Sequence, residues 1–213
     1  DEPTAMLDPQ GRADIMHILD ELQQHGTTII LVTHHRDEFV NADRIIRLDN
    51  GRIVQSARGN TASIPKMDES DTAQEDNPIA KSNIANGALK PTSAVPNSSK
   101  PVLDKLSITI NKGETVAITG HNGAGKTTLA RLLCALDQPQ SGNITINTIP
   151  VARQRVNGNM QSLKRADREK LRATVGYVMQ HPERQLFAET VAEDIAYGPR
   201  NQHLDQTQVS ERV

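Results

Sequence analysis

Gly120-His121-Asn122-Gly123-Ala124-Gly125-Lys126-Thr127-Thr128 decides the fold of this 213-residue chain. An apolar run at Glu114–Thr119 leads into it and a helical pattern at Lys126–Leu136 leads out. Strand, glycine-rich loop and helix in that order make a phosphate cradle. The glycines let the backbone wrap closely, so that its N–H groups point at a β-phosphate with help from the helix N-terminus. Lys126 would reach the β- and γ-phosphates, and the Thr127 hydroxyl would ligate Mg2+.

The chain opens on Asp1-Glu2-Pro3-Thr4, which reads as the acidic end of a Walker B strand. In a P-loop ATPase the lysine loop comes first and the acidic strand follows it. Here the order is reversed, which points to the tail of one nucleotide-binding domain joined to the head of a second.

Residues 1–55 read as an α/β half-domain. Asp8 is a helix N-cap with Pro9 behind it, and Ile15, Ile18, Leu19 and Leu22 follow at helical spacing until Gly26 stops the helix. Thr27–Val32 is a continuous apolar run, the pattern of a buried parallel strand. A short helix is expected over Asp37–Asn41. Arg44–Leu48 and Arg52–Gln55, joined by Asn50-Gly51, form a hairpin with a type I′ turn.

Residues 56–100 are rich in Ser, Thr, Asn, Ala, Pro and Lys and show no period. Such a segment buries too little apolar surface to offset its ordering entropy, so it reads as a flexible linker and a site of early proteolysis. From residue 101 to 213 structure returns. Strands are expected at Leu106–Ile110, Glu114–Thr119, Asn143–Asn147 and Val175–Met179, with Val151–Gln161 a polar loop. Helices are expected at Lys126–Leu136 and Ser162–Arg172, from Thr190 to a stop at Gly198-Pro199, and from Asp205 onward.

Aromatics make up 2% of the chain, so its core is aliphatic. A net charge of −2 gives no electrostatic footprint for nucleic acid, and the basic residues between 153 and 172 read as a solvated helix face. The single cysteine, Cys134, fits core packing in a reducing compartment. No run reaches the ~18 apolar residues of a membrane span, so any membrane association would come through partners.

Taken together, the loop and Asp1-Glu2-Pro3-Thr4 resemble the ATP-binding cassette (ABC) family, whose cofactors are ATP and Mg2+. The resemblance implies that Asp1 holds Mg2+ and that Glu2 is the general base for the attacking water. It makes Ala5-Met6-Leu7-Asp8 a D-loop, with Asp8 approaching the opposing domain. His34, in Val32-Thr33-His34, becomes the switch histidine on the γ-phosphate. Gln180 becomes the Q-loop glutamine that senses Mg2+ and γ-phosphate. Residues 120–128, from Gly120 to Thr128, are the nucleotide-binding loop, and Asp1, Thr127 and Gln180 surround the metal.

Val178-Met179-Gln180-His181-Pro182-Glu183-Arg184-Gln185-Leu186-Phe187 and Thr190–Gly198 are similar to the Q-loop region of energy-coupling factor ATPases. Ala42-Asp43-Arg44-Ile45 and Asn50–Val54 fit that subgroup too. The implied partners are a transmembrane coupling protein, a substrate-binding membrane subunit, and a second ABC domain in the same chain or a paralogous ATPase. The implied location is the cytoplasmic face of the membrane, and the implied cargo a vitamin or transition-metal ion. The chain departs from the family in lacking an LSGGQ-type signature with its helical subdomain, and an aromatic upstream of the loop to stack on adenine.

The expected fold is therefore α/β, of the P-loop type, mainly a parallel sheet flanked by helices plus a hairpin. Two arrangements stay open. In a head-to-tail tandem the Lys126 group and the Asp1, Glu2, His34 group belong to different sites. As homologous complements, the two halves could instead dock as one composite sheet, with Asp1-Glu2 beside Lys126. Rival functions are a soluble tandem ABC ATPase on ribosomes or nucleic acid, and a catalytically inactive segment.

Overall fold

The computed structural model describes residues 1–58, 90–91, 101–202 and 204–213. Most of the segment read as a linker lies outside them. Of its described residues, Ser56 to Arg58 continue a strand, so the ordered half-domain runs past Gln55.

In chain order the elements are α1 (Pro9–Gln24), β1 (Ile29–Val32), a 3-10 turn (Asp37–Phe39), β2 (Arg44–Asp49) and β3 (Arg52–Arg58). Then come β4 (Lys90–Pro91), β5 (Thr115–Thr119), α2 (Lys126–Leu133), β6 (Pro139–Ser141), β7 (Ile144–Ile146), β8 (Ile149–Gln154) and β9 (Met160–Gln161). The chain closes with α3 (Arg165–Thr174), a 3-10 turn (Pro182–Gln185), α4 (Val191–Asn201) and α5 (Gln206–Ser210).

The main sheet has the order β1-β5-β2-β3. β5 is parallel to both neighbours, with Leu31 opposite Ala117 on one side and Ile46 opposite Ile118 on the other. A strand from the second half of the chain thus lies between two strands from the first, and the halves form one composite sheet. The pairing satisfies backbone groups on both edges of β5, which would otherwise stay open. Both faces of β5 are covered. Val116 and Ile118 pack with Val32, Ile46, Leu48, Leu129 and Leu132, while Ala117 faces Phe39, Ala42 and Ile45. Burying a side chain such as Leu48 or Ile118 stabilises by about 1.5–3 kcal/mol.

The helix caps follow the sequence closely. Asp8 accepts a hydrogen bond from the Gly11 N–H at 2.8 Å. Gly26, at φ +86°, donates to the Gln23 carbonyl at 2.8 Å while Thr27 donates to that of Leu22 at 3.0 Å, a paired C-cap. The apolar stripe of α1 is less buried than its spacing implies, since Ile18 and Leu22 are exposed. Asn50 (φ +45°) and Gly51 (φ +76°) make the type I′ turn between β2 and β3. Gly51 also donates to the Ala124 carbonyl at 3.1 Å, so the hairpin tip lies against the lysine loop.

Several expected elements differ. Residues 151–161 are not a loop: β8 pairs with β7 and β9, and a register shift at Val151 lets the adjacent Val151 and Ala152 both be buried, which breaks the alternating pattern. Leu106–Ile110 makes no extended ladder, although Leu106 is fully buried. Val175–Met179 is irregular; its backbone is held by a side chain, with Gln185 Nε2 donating to the Tyr177 carbonyl at 3.3 Å. Asp37–Asn41 contracts to the 3-10 turn. α4 continues past the expected stop at Gly198-Pro199 to Asn201, although Pro199 gives up its own i→i−4 hydrogen bond. α2 stops at Leu133, because Ala135 turns left-handed at φ +54°.

Candidate nucleotide-binding site

β1 and β5 run parallel, so the loops leaving their C-terminal ends, Thr33-His34 and the Gly120 loop, emerge on the same edge of the sheet. Crevices beyond the carboxyl ends of parallel strands are where α/β folds bind ligands. The glycines of the loop have structural work to do: at Gly120 (φ +145°) an added Cβ would sit 2.2 Å from the Leu48 carbonyl oxygen. Gly125, at φ +99°, caps α2 and brings Lys126 to the centre of the loop. Lys126 is buried, and its ammonium donates to the carbonyls of Gly120 at 2.8 Å and His121 at 3.2 Å. Burial lowers its pKa from the usual 10.5, against the opposing charge of Glu2. A poorly hydrated cation inside a loop of backbone amides suits an anion such as a polyphosphate.

His121 adds a titratable group to the loop. Nδ1 faces the Asn122 carbonyl at 2.7 Å and Nε2 faces Asp49 Oδ1 at 2.8 Å. Both contacts are satisfied only when both ring nitrogens carry protons. Its pKa is accordingly raised from 6.5, first by the bond to Asn122 and then by Asp49.

Glu2 stands across from the loop. Its N–H donates to the Val32 carbonyl at 2.8 Å, which pins the start of the chain to the end of β1. One carboxylate oxygen contacts His34 Nδ1 at 3.3 Å, and the other accepts from Gln180 Nε2 at 3.0 Å. Glu2 has φ +46° directly before a proline, a backbone strain of about 1–3 kcal/mol that surrounding contacts must hold. The structure therefore brings Glu2, His34, Gln180 and Lys126 to one edge, as the composite arrangement requires.

The other expected residues are placed less centrally. Asp1 accepts from the Tyr177 hydroxyl at 3.3 Å, on the Gln180 side of the site. Thr127 is exposed at the start of α2. Asp8 caps α1. Asn122 and Gly123 are exposed while Ala124 is buried under the loop, with its N–H donating to the His121 carbonyl at 3.1 Å. Thr128 is half-buried. Sequence reasoning missed the partner of His121, Asp49, whose only visible role was to precede the hairpin turn. Glu38 was missed too, because it looks like one more acidic residue in a short helix.

The family described as ABC transporter matches residues 103–212, slightly more than half of the chain. The chain belongs to the ABC transporter family. Over its whole length it is 43% identical to a Bifidobacterium longum protein named "Putative ABC transporter ATP-binding protein", covering 32% of that relative. Over 55% of its length it is 39% identical to an energy-coupling factor transporter ATP-binding protein, EcfA1, of Latilactobacillus sakei, covering 38% of that protein. Over 54% it is 41% identical to EcfA2 of Clostridium acetobutylicum, covering 36%. The chain thus spans well under half of the length of these ABC relatives.

The residues fit the family's ligand. The glycine loop leaves no room for a Cβ at Gly120, the lysine is desolvated, and Thr127 stands exposed at the start of α2. Among the described residues no cluster of three or more His, Cys, Asp or Glu could hold a metal by itself. Any Mg2+ here would depend on phosphate oxygens for part of its shell. No described helix is long and apolar enough to cross a membrane.

Proposed function

We propose that this chain is part of an ATP-binding, ATP-hydrolysing subunit of an energy-coupling factor importer. It would energise uptake of a vitamin or a transition-metal ion through a transmembrane coupling protein, with a separate membrane subunit binding the cargo. The observation that supports the reading most is the convergence of Glu2, His34 and Gln180 beside the Lys126 loop. The partial matches to EcfA1 and EcfA2 favour the energy-coupling factor branch.

In this reading the loop amides and Lys126 hold the β- and γ-phosphates, and Thr127, Asp1 and Gln180 surround Mg2+. That ion would supply charge neutralisation on the phosphates. Glu2 accepts a proton from the attacking water, and His34, paired with Glu2, contacts the γ-phosphate. Positioning and electrostatics then account for the chemistry.

The motif order and the greater length of the relatives support a tandem protein. In it, the Lys126 loop would work with an acidic segment downstream, and Glu2 with a lysine loop upstream. The roles above would then be divided between two such sites, and the pairing of Glu2 with the Lys126 loop in this chain would stand in for each half's own mate. The subunit would lie on the cytoplasmic face of the membrane, bound to its partners, with Asp8 near the domain interface.

The test is affinity purification of the full-length protein from membranes, followed by ATPase assay of the complex. Recovery of an integral membrane partner with ATP turnover supports the importer. Recovery of ribosomes or nucleic acid instead would replace it with the soluble tandem reading.

A further inference from the structure

Glu38 is 2% exposed, yet no step proposed above uses it. Its carboxylate sits among Thr4 and Thr33, both fully buried. Thr4 Oγ1 donates to Glu38 Oε1, and Thr33 Oγ1 donates to Glu38 Oε2. Arg12 Nε lies 3.8 Å from Oε1 and makes no hydrogen bond of its own. A buried carboxylate is costly unless its acceptors are filled, and here each oxygen takes one threonine hydroxyl.

The positions of those threonines give the arrangement its meaning. Thr4 lies in the turn that begins at Glu2, where Ala5 N–H returns to the Glu2 carbonyl at 3.2 Å. Thr33 immediately precedes His34, and its Oγ1 also accepts from the His35 N–H at 3.0 Å. With both threonine hydroxyls donating to Glu38, the Thr33 oxygen is left free to receive His35. One buried side chain thereby ties together the backbone segments that carry Glu2 and His34. It also supplies a restraint of the kind that the left-handed Glu2 needs.

We infer that Glu38 is a positioning residue for this site, clamping Thr4 and Thr33 so that Glu2 and His34 are held in register with each other. All of these residues lie within the first 38 positions, so the clamp does not depend on how the second half of the chain docks. The inference rests on the ATPase reading above.

Steady-state ATP turnover of the full-length protein tests it, with each variant compared to Glu2→Gln. Glu38→Ala is expected to lower the Glu2-dependent kcat by ~10–100-fold, the scale of a misplaced catalytic group, and to leave the nucleotide KM within about twofold. Glu38→Gln, which keeps one acceptor oxygen, should recover most of that loss. Adding Glu38→Ala to Glu2→Gln should cost nothing further, because both act through one group. Thr33→Val should reproduce the kcat loss and Thr33→Ser should not, which covers the case of a poorly folded Glu38→Ala. Normal turnover by Glu38→Ala or Thr33→Val would overturn the clamp alone. So would a loss that only tracks the folded fraction, or one that multiplies with Glu2→Gln. Absence of turnover in the wild-type protein would overturn the ATPase reading and the clamp with it.

Discussion

Gln180 Nε2 donates to Glu2 Oε2 at 3.0 Å across 178 residues of sequence. The contact exists because the irregular segment before Gln180 runs beside the start of the chain, where the Asp1 nitrogen donates to the Val178 carbonyl at 2.9 Å and the Tyr177 hydroxyl donates to Asp1 at 3.3 Å. Three contacts between residues 1–2 and residues 177–180 thus hold the two halves together beside the sheet.

Ala135 ends α2 in a conformation that favours glycine. It has φ +54°, its N–H donates to Leu132 at 3.2 Å, and Leu136 donates to Arg131 at 2.9 Å. Ala135→Gly should raise stability by about 1 kcal/mol, since the strain of a left-handed Cβ is removed. Urea denaturation checks this; an unchanged or lower midpoint at equal slope would mean that the turn is not left-handed.

The reverse substitution at the hairpin tip should be costly. At Gly51 an added Cβ would lie 2.1 Å from the Val102 carbonyl oxygen, on backbone with φ +76°. Gly51→Ala should destabilise by more than about 2 kcal/mol and, because Gly51 bonds Ala124, loosen the lysine loop. A denaturation midpoint equal to that of the parent would rule out this close approach.

Much of this was legible in the residues. The glycine loop, the Asp8 and Gly26 caps and the Asn50-Gly51 turn each use local chemistry that a single stretch of sequence carries in full. The composite sheet was visible only as an option, because parallel pairing leaves no local mark and depends on which edges lack partners. β8 was missed because the adjacent Val151 and Ala152 are both buried, which breaks the alternating pattern. The Val175–Met179 run was read as a strand on β-propensity, but side-chain bonds from Gln185 hold it instead. Glu38 could not be found from spacing, since its partners Thr4 and Thr33 are brought to it by tertiary folding alone.

His121 should titrate above 6.5, because its protonated form bonds both Asn122 and Asp49. A folded pKa raised above the unfolded one gives a stabilisation that is complete below 6.5 and lost as pH climbs through the folded value. Imidazole resonances followed by NMR should place the His121 midpoint above 6.5, and Asp49→Asn should lower it. A midpoint at or below 6.5 would dissolve the pairing.

The chain should bind Mg-nucleotide weakly and through its phosphates. Lys126→Ala should abolish binding, because it removes the cation at the centre of the loop. ATP and GTP should bind within a few-fold of each other, as no aromatic residue lies upstream of the loop in sequence as far back as Phe39 to stack on a base. Fluorescent-nucleotide displacement measures both; strong selectivity for ATP would reveal a base platform elsewhere in the chain.

The central claim is that Glu2 shares a site with the Lys126 loop, and calorimetric titration of the 213-residue chain with Mg-ATP tests it most directly. Glu2 places a negative charge near Lys126, where it opposes the charge of the triphosphate. Removing a like charge at partly buried range is worth about 1 kcal/mol, so Glu2→Gln should tighten binding by roughly three- to tenfold. An affinity for Glu2→Gln indistinguishable from the parent would show that Glu2 and the Lys126 loop do not face the same nucleotide.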